Sequence, residues 1–523
     1  MEKYKATIGL EIHAELKTKT KMFCDSKNDP DETKPNVNIC PVCMAHPGTL
    51  PAINKTAVKS VLKVGLALNG NLADFTEFDR KNYFYPDIPK GYQISQYKYP
   101  LVSGGELNGV KITRVHLEED TARSSHDTVG HSLVDYNRAG IPLMELVTEP
   151  VVENAQQARD FAKELQLLLR YLGVAEANME KGEMRIEANI SVSDNEHFGT
   201  KVEVKNLNSF RVVEKAIEYE IKRQIGVLED GEKIVQETRG WDENGQKTFS
   251  QRMKEGSADY RYFPDPDLPK LKISEIPEFS RENLKKEIPE LPKEKRERYT
   301  KDYGIKSEDL EMYVTDSDFG NFFEGVAKEL KGDRDLIKIA SNYITSDIVG
   351  LNKSSLTNFA SQNSSLRTEG EAIQNENAVD LPAGEAGRFA IAREDDEEVV
   401  VVREDEEKDK FGKIEIKNFA ELIKMVGEGK ISSRGTKDIL KIMFTDGGTP
   451  NEIAEKNNLL QKSDEGELEK IVLKIIENNK TVADEYRAGK ESSLQFLIGQ
   501  GMKETKGSAN PKILTDLFKK NLK

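Results

Sequence analysis

Apolar and polar residues alternate along the first strand that the sequence predicts, which covers residues 4–16. Successive side chains of a β-strand point to opposite faces, so Glu11 and His13 are expected together on the polar face. The same pattern predicts three more strands, at 110–117, 185–192 and 200–205. The apolar positions of the first strand are Ile8, Leu10, Ile12, Ala14 and Leu16.

Three amphipathic helices are predicted among these strands. The first spans 57–68, the second follows Asn154 as N-cap and stops at Gly173, and the third runs from 209 to about 227. Strands and helices that mix without strict βαβ alternation indicate an α+β domain built on a mixed sheet. We assign this domain to residues 1–291.

Helical periodicity replaces the strand patterns beyond this domain. We predict an all-α helical domain at 292–462 and a helical tail at 463–523. Within the helical domain, residues 361–413 are rich in Ser, Asn, Gln and Glu and then become strongly acidic. We interpret most of this segment as a solvated, flexible insertion. The helical domain's two apolar stripes are Phe322, Phe323, Val326 and Leu330, and Phe419, Leu422, Ile423 and Val426.

Composition and charge limit the function classes. The chain has 523 residues, 37% hydrophobic residues and a net charge of -15. A non-specific nucleic-acid binder is normally basic, so any RNA must be held by local patches. No run of residues approaches a membrane span, and the opening residues enter a strand without an apolar signal region. We therefore expect a cytoplasmic protein.

Three acidic segments are candidates for one metal site. They are Glu11 with His13, the run 116–120 (HLEED), and Glu145 in an apolar stretch. Carboxylates with one imidazole suit Mg²⁺ or Mn²⁺ better than Zn²⁺. Since the segments are far apart in sequence, spacing alone leaves open that they are separate surface carboxylates.

Cys24, Cys40 and Cys43 form a second constellation. Cys40 and Cys43 make a C-x-x-C pair that favours zinc over redox chemistry, because no thioredoxin-like βαβ context surrounds it. A fourth ligand is missing from the three cysteines; His46 or Asp25 could supply it. The alternative is a degenerate site without metal.

Phosphate-binding and nucleophile motifs are absent from the sequence. It contains no G-x-x-x-x-G-K-[ST] loop, no G-x-G-x-x-G turn and no nucleophile elbow. A basic, aromatic segment at 78–96 is punctuated by Pro86, Pro89 and Gly91 and indicates a loop for a planar or anionic substrate. The alternative is packing beneath a loop.

The chain's last helices carry a basic tip. Lys503, Lys506 and Lys512 lie there with few acidic neighbours. Contact with a nucleic-acid backbone and simple solvation are comparable interpretations of such a tip.

Seven motifs occur in an order that resembles the B subunit of the glutamyl/aspartyl-tRNA amidotransferases. The resemblance covers nearly the whole chain except about 361–413. The motifs are 8–16 (IGLEIHAEL), 79–87 (DRKNYFYPD), 92–96 (YQISQ), 116–120 (HLEED), 204–210 (VKNLNSF), 236–239 (QETR) and 254–264 (KEGSADYRYFP).

This resemblance implies a carbon–nitrogen ligase with a cradle-like catalytic domain. ATP would phosphorylate the side-chain carboxylate of misacylated Glu-tRNA(Gln) or Asp-tRNA(Asn), and ammonia would then displace phosphate. The implied cofactors are ATP and Mg²⁺, with a possible structural Zn²⁺. The implied partners are an amidase subunit that supplies ammonia, a small third subunit and tRNA.

The resemblance also implies roles for individual residues. The magnesium ligands of the family fall on Glu11, His13, Glu119 and Glu145, and Lys81 falls in the motif that lines the ammonia route. The tail, with Lys503, Lys506 and Lys512, would contact tRNA. An active-site wall for substrate or ATP would include Arg185, Glu187 and Asn189.

One departure from the family pattern concerns zinc. Cys24, Cys40 and Cys43 match three cysteines of zinc-binding members, and Ser26 stands where the fourth would be. A non-catalytic tRNA-binding scaffold is the alternative function. The presence of all four matched magnesium ligands argues against it.

Overall fold

The computed structural model describes residues 3–125, 131–253, 260–354, 410–461, 465–505 and 509–522. The chain divides into two compact units, Met1–Glu294 and Lys295–Lys523. The predicted further boundary at 462/463 stays a prediction.

The first unit is built on one large mixed sheet. Its strand order is β15-β14-β13-β12-β1-β11-β8-β6-β2, with β7 paired to β8. The β13–β14 pair is parallel and the other described pairs are antiparallel. The strands of this sheet are β1 Lys5–Glu15, β2 Asn71–Leu72, β6 Val102–Ser103, β7 Glu106–Leu107, β8 Val110–Glu119, β11 Pro142–Thr148, β12 Met184–Ser193, β13 Val202–Leu207, β14 Glu237–Asp242 and β15 Lys247–Met253.

Three smaller sheets accompany it in the described residues. The order β16-β4-β5 forms a three-stranded sheet, and β9–β10 and β3–β17 are two-stranded. Their strands are β3 Phe75–Thr76, β4 Asp79–Asn82, β5 Tyr92–Ser95, β9 Arg123–Ser125, β10 Leu133–Asp135, β16 Phe263–Pro264 and β17 Leu271–Lys272.

Three long helices bury one face of the large sheet. They are α1 Lys55–Ala67, α2 Ala155–Tyr171 and α3 Phe210–Glu229, followed by the short α4 Arg281–Lys286. The predicted N-cap Asn154 accepts a hydrogen bond from the Gln157 backbone at 2.9 Å. The apolar positions of β1 lie in the core that these helices cover, and its polar positions face the opposite side.

The second unit is helical in its described residues. Both predicted apolar stripes pack inward, with only Val426 half-exposed. Its helices are α5 Pro292–Arg298, which begins at the boundary, α6 Ser307–Thr315, α7 Ser317–Glu329, α8 Arg334–Tyr343, α9 Ile416–Gly427, α10 Ser433–Thr445, α11 Pro450–Lys456, α12 Glu465–Asn478, α13 Lys480–Arg487, α14 Glu491–Glu504 and α15 Pro511–Leu522. A mixed-sheet domain followed by helices confirms the predicted α+β class.

Only the C-terminal end of the segment at about 361–413 lies among the described residues, so the interpretation of most of it as a solvated insertion stays a prediction. Phe411 stacks on Phe322 with ring centroids 4.1 Å apart and meets Phe319 edge-on. Lys410 pairs with Asp316 at 2.7 Å. Phe411 therefore belongs to the helical core, and 361–409 lie outside the described residues.

Among the described helices, none is both long and apolar enough to cross a bilayer.

Candidate active site and metal centre

The register of three neighbouring strands brings the predicted site residues together. His13 on β1 is paired with Glu145 on β11, and Glu145 is paired with His116 on β8. Residues directly opposite each other in an antiparallel pair project from the same face, so these side chains converge. The Nε2 of His13 lies 3.6 Å from Oε2 of Glu145, and Oε1 of Glu11 lies 4.0 Å from the same nitrogen.

Glu118, not Glu119, is the carboxylate that the 116–120 segment contributes to this group. The Oε1 of Glu118 lies 3.6 Å from Nε2 of His13. Glu119 points to the other face of β8, where it pairs with Lys90 and accepts a hydrogen bond from the Ile94 backbone at 2.9 Å. Adjacent strand residues face opposite ways, so Glu119, which was predicted as a ligand, lies outside this group.

His116 is a member of the group that was not predicted as a site residue. Its Nε2 lies 3.2 Å from Oε2 of Glu145. The signal was present in the sequence, because Val115 and Leu117 take the core face and so place His116 and Glu118 together on the other.

The side chains of this group shift one another's pKa. Burial alone would lower the pKa of His13, but its hydrogen bond to Glu145 and the charges of Glu118, Glu145 and Glu11 raise that pKa to about 9. Burial would raise the pKa of Glu145, but His116 and His13 hold it well below its usual range. The Glu145 carboxylate is therefore held in its anionic form beside the two histidine rings.

Lys81 projects from β4 toward this group. Burial would lower its pKa, but the charges of Glu118, Tyr262 and Glu145 outweigh that effect and raise it. Its ammonium also lies 5.2 Å from the centre of the Tyr260 ring. Lys81 thus stays cationic beside the carboxylates, within the aromatic segment that the sequence predicted as a substrate loop.

The predicted wall residues lie on β12, next to β1. Arg185 is paired with His13 and Glu187 with Glu11, so both share the face of the acidic group. The Nη2 of Arg185 donates to Asp120 at 2.8 Å, and Lys205 donates to Glu187 at 3.0 Å. Asn189, paired with Gly9, has a buried Oδ1 without a hydrogen-bond partner among the described residues.

The donor set suits a hard divalent cation. Ligand atoms of Glu11, His13 and Glu145 all lie within 4.8 Å of one another. Ligands on opposite sides of an octahedral Mg²⁺ are about 4.2 Å apart, since each lies about 2.1 Å from the ion. The three residues can therefore hold one Mg²⁺ with small adjustments, and the remaining positions are open to water or substrate oxygens.

The three cysteines converge at a separate place in the first unit. Ligand atoms of Cys24, Cys40 and Cys43 lie within 4.8 Å of one another, and Ser26 Oγ is 3.8 Å from the Cys43 sulfur. Hydrogen bonding from Cys24 and the charge of Lys21 outweigh burial and lower the pKa of Cys43 to about 4. A thiolate among thiols fits three positions of a zinc site.

Neither His46 nor Asp25, the two residues considered as a fourth ligand, joins that group of described residues. His46 lines a cavity of about 290 Å³ together with Cys24 and Cys43. Ser26, which stands at the fourth position of the family pattern, has its Oγ 3.8 Å from the Cys43 sulfur.

The basic tip lies in the second unit. Lys503 is near the end of α14 and Lys512 is at the start of α15, and both are exposed. Lys506 lies outside the described residues.

Comparison with known proteins identifies relatives along the whole chain. Residues 6–277 match a family model described as the GatB/GatE catalytic domain, and residues 399–522 match one described as the GatB domain. The second match begins inside 361–413, so the family pattern extends further into that segment than the motifs indicated.

Full-length relatives share one name, the B subunit of aspartyl/glutamyl-tRNA(Asn/Gln) amidotransferase. The protein of Rippkaea orientalis is 40% identical over 542 residues, covering 99% of this chain and 98% of its own. That of Gloeothece citriformis is 39% identical with the same coverage. The Thermotoga maritima protein is 39% identical over 535 residues, covering 99% of both chains. The chain belongs to the family of aspartyl/glutamyl-tRNA(Asn/Gln) amidotransferase B subunits.

Proposed function

We propose that this chain catalyses the ATP-dependent transamidation of Glu-tRNA(Gln), Asp-tRNA(Asn) or both in the cytoplasm. It would act with an amidase subunit that supplies ammonia and with a small third subunit. The observation that carries the proposal is the convergence of Glu11, His13, Glu118 and Glu145 on one sheet face in a member of this family.

The proposed reaction has two steps. An oxygen of the substrate's side-chain carboxylate attacks the γ-phosphorus of ATP, and the bond to the bridging oxygen breaks to release ADP. Ammonia then attacks the carbonyl carbon of the acyl phosphate, phosphate leaves with the electron pair of the C–O bond, and the nitrogen loses a proton. Neither step needs a protein nucleophile, which agrees with the absence of a nucleophile motif.

Each part of the site has a role in this scheme. Mg²⁺ would be held by Glu11, His13, Glu118 and Glu145. When bound, it would neutralise negative charge on the phosphate oxygens. Lys81 keeps its charge and is available to an anionic oxygen of the substrate. Arg185, fixed by Asp120, offers a second cation on the same face. We propose that Glu187 and Asn189 line the wall beside it.

We further propose that Cys24, Cys40 and Cys43 hold a structural Zn²⁺ with Ser26 or water completing the site. Metal analysis of the purified chain tests this directly: about one Zn²⁺ per chain, lost in Cys43→Ser, is expected. A zinc-free, fully folded protein would contradict it.

The transamidation assay tests the main proposal. The chain, co-purified with its amidase partner, is given ATP, Mg²⁺, ammonium chloride and either Glu-tRNA(Gln) or Asp-tRNA(Asn). We expect amide formation by the wild type and a loss of at least about 100-fold in Glu11→Gln, since a metal ligand is removed. Binding of tRNA without amide formation on either substrate would favour the scaffold alternative.

A further inference from the structure

Two tyrosines of the segment 260–267 lie near Lys81. The Lys81 ammonium is 5.2 Å from the centre of the Tyr260 ring, within the range of a cation–π contact. The centroid of the Tyr260 ring lies 6.2 Å from that of Tyr262 and 6.1 Å from that of Tyr83, and both contacts are edge-on. A lysine stem is flexible, so the position of this ammonium depends on the side chains that surround it.

The backbone pairing between this segment and β4 is short. β16 has two residues, Phe263–Pro264, which pair with Arg80 and Asp79, and proline has no N–H to donate. Just before β16, Arg261 has a φ of +43°. A residue other than glycine keeps this left-handed conformation only where the surrounding structure holds it. Side chains must therefore supply much of the attachment between the segment and β4.

Arg80 of β4 makes charged contacts with the end of the segment. Its Nε donates to Asp265 at 2.7 Å, and its Nη2 donates to Asp267 at 2.8 Å. The side chain of Asp265 is completely buried, and its backbone N–H donates to the Phe78 carbonyl at 2.8 Å. The Arg80 guanidinium also lies 4.3 Å from the centre of the Tyr92 ring on β5. Separating Arg80 from Asp265 would leave an unpaired buried charge, so this contact fixes the segment in place.

Asn82 of β4 attaches the beginning of the segment. Its Nδ2 donates to the Arg261 carbonyl at 2.8 Å and to the Tyr260 carbonyl at 3.3 Å. Arg80 and Asn82 are the two neighbours of Lys81 in sequence, and on a strand they project from the face opposite to that of Lys81. The segment is therefore held by the residues on either side of Lys81, while Tyr260 contacts Lys81 itself.

We propose that Arg80 is a positioning residue for Lys81. Its ion pair with the buried Asp265 holds the segment 260–267 against β4. Tyr260, carried by that segment, then keeps the Lys81 ammonium directed at the acidic group. Arg80 projects from the other face of β4, so its effect on the reaction passes through Lys81. This effect rests on the proposed function, whereas the placement of Lys81 does not.

Acetylation by acetic anhydride measures the placement of Lys81 without catalysis. The full chain is labelled in its native state, and peptide mass spectrometry gives the rate of reaction at each lysine. We expect Lys81 to react at least about 10-fold faster in Arg80→Gln than in the wild type, because local opening of the segment exposes its amine. Lys21, which is completely buried elsewhere in the first unit, is the control and should react at an unchanged rate.

A double-mutant cycle tests whether Arg80 acts through Lys81. In the transamidation assay, we expect Arg80→Gln to lower kcat about 10- to 100-fold, since a small misplacement of a reacting group has an effect of this size. In the Lys81→Gln background, the same change should lower kcat by less than about 2-fold, because no ammonium is left to position. Arg80→Lys should recover part of the loss, since it keeps the charge beside Asp265 but not the two-pronged contact.

Three results would overturn the proposal. Unchanged acetylation of Lys81 in Arg80→Gln would show that Arg80 does not hold it, and equal acceleration at Lys21 would show a general loss of stability. An equal loss of kcat with and without Lys81→Gln would place the action of Arg80 elsewhere.

A second variant and a separate outcome keep the test decisive. If Arg80→Gln does not fold, Asp267→Asn takes its place in both experiments, because it removes one contact of Arg80 and leaves the buried Asp265 paired. Faster acetylation of Lys81 in Arg80→Gln, in a chain that forms no amide with its amidase partner, would refute the proposed function and keep the placement of Lys81 by Arg80.

Discussion

Glu118 and Glu119 are neighbours on β8 with different environments. Glu118 faces His13, and Glu119 is neutralised by Lys90 on the opposite side of the strand. A carboxylate that already has a buried ion pair and a backbone donor is poorly placed to bind a metal. Which of the two carboxylates can bind a metal therefore depends on the face of β8 from which its side chain projects.

This difference gives a matched pair of variants. We expect Glu118→Gln to weaken Mn²⁺ binding at least about 10-fold, because it removes a charged ligand. Glu119→Gln should change the affinity by less than about 2-fold, since its side chain lies outside the group. Titration calorimetry measures both. A larger loss of Mn²⁺ affinity in Glu119→Gln than in Glu118→Gln would instead identify Glu119 as the ligand.

At the scale of elements, β5 is attached to β8 through side chains. Gln93 donates to the Glu119 carbonyl at 2.7 Å, and Gln96 accepts from the Leu117 backbone at 3.0 Å. Gln96 also donates to Thr76 at 2.6 Å and is almost completely buried. These bonds hold the strand that carries His116 and Glu118 against the small sheet that carries Lys81.

Gln96→Leu should therefore destabilise the first unit. It leaves the Leu117 amide and the Thr76 hydroxyl without these partners, at about 1–3 kcal/mol for each group. The fluorescence of Trp241, the only tryptophan of the chain, reports unfolding of this unit in urea. An unchanged midpoint would show that these bonds contribute nothing to stability.

The long elements of this unit could be predicted because each carries its own pattern. β1 alternates over eleven residues, and α2 and α3 are marked by the caps Asn154 and Ser209. Two-residue strands such as β6 and β16 have no period to detect, and their pairing depends on residues distant in sequence. Pairing between distant residues also limited the prediction of the site. Alternation along β1 predicted that Glu11 and His13 share a face, but their proximity to His116 depends on the register of three strands.

At the scale of the whole molecule, the sequence before α9 contains a stretch outside the family match and, after it, the aromatic residue Phe411. Phe411 is 9% exposed and packs in the helical unit, whereas the site residues all lie in the first unit. The family match resumes at 399. Removal of residues 363–398 should therefore spare both the matched motifs and this aromatic contact.

We expect the 363–398 deletion to keep transamidation within about 2-fold of the wild type, because the matched motifs and the site residues all lie outside the deleted stretch of sequence. Phe411→Ala should instead lower the stability of the helical unit by about 3 kcal/mol. Calorimetric melting and the amidation assay separate the two effects. Lost turnover in a folded deletion variant would give the segment a role in catalysis.

The helical tail offers a test of RNA contact in a chain with a net charge of -15. We propose that Lys503, Lys506 and Lys512 bind the tRNA backbone. Each of Lys503→Gln and Lys512→Gln should weaken tRNA binding and reduce the slope of log affinity against log salt by about 1. The KM for ATP should stay unchanged. An unaltered salt slope would exclude phosphate contacts by these lysines.

In the proposed reaction, the γ-phosphate of ATP is transferred to a side-chain carboxylate at the acidic group. Glu-tRNA(Gln) labelled with ¹⁸O in that carboxylate tests it most directly, with ATP and ammonium chloride as co-substrates and the phosphate analysed by mass spectrometry. If an acyl phosphate forms, one ¹⁸O atom appears in phosphate for each amide made, and Glu118→Gln suppresses both products together. Amide formation that leaves the phosphate unlabelled would exclude an acyl phosphate intermediate.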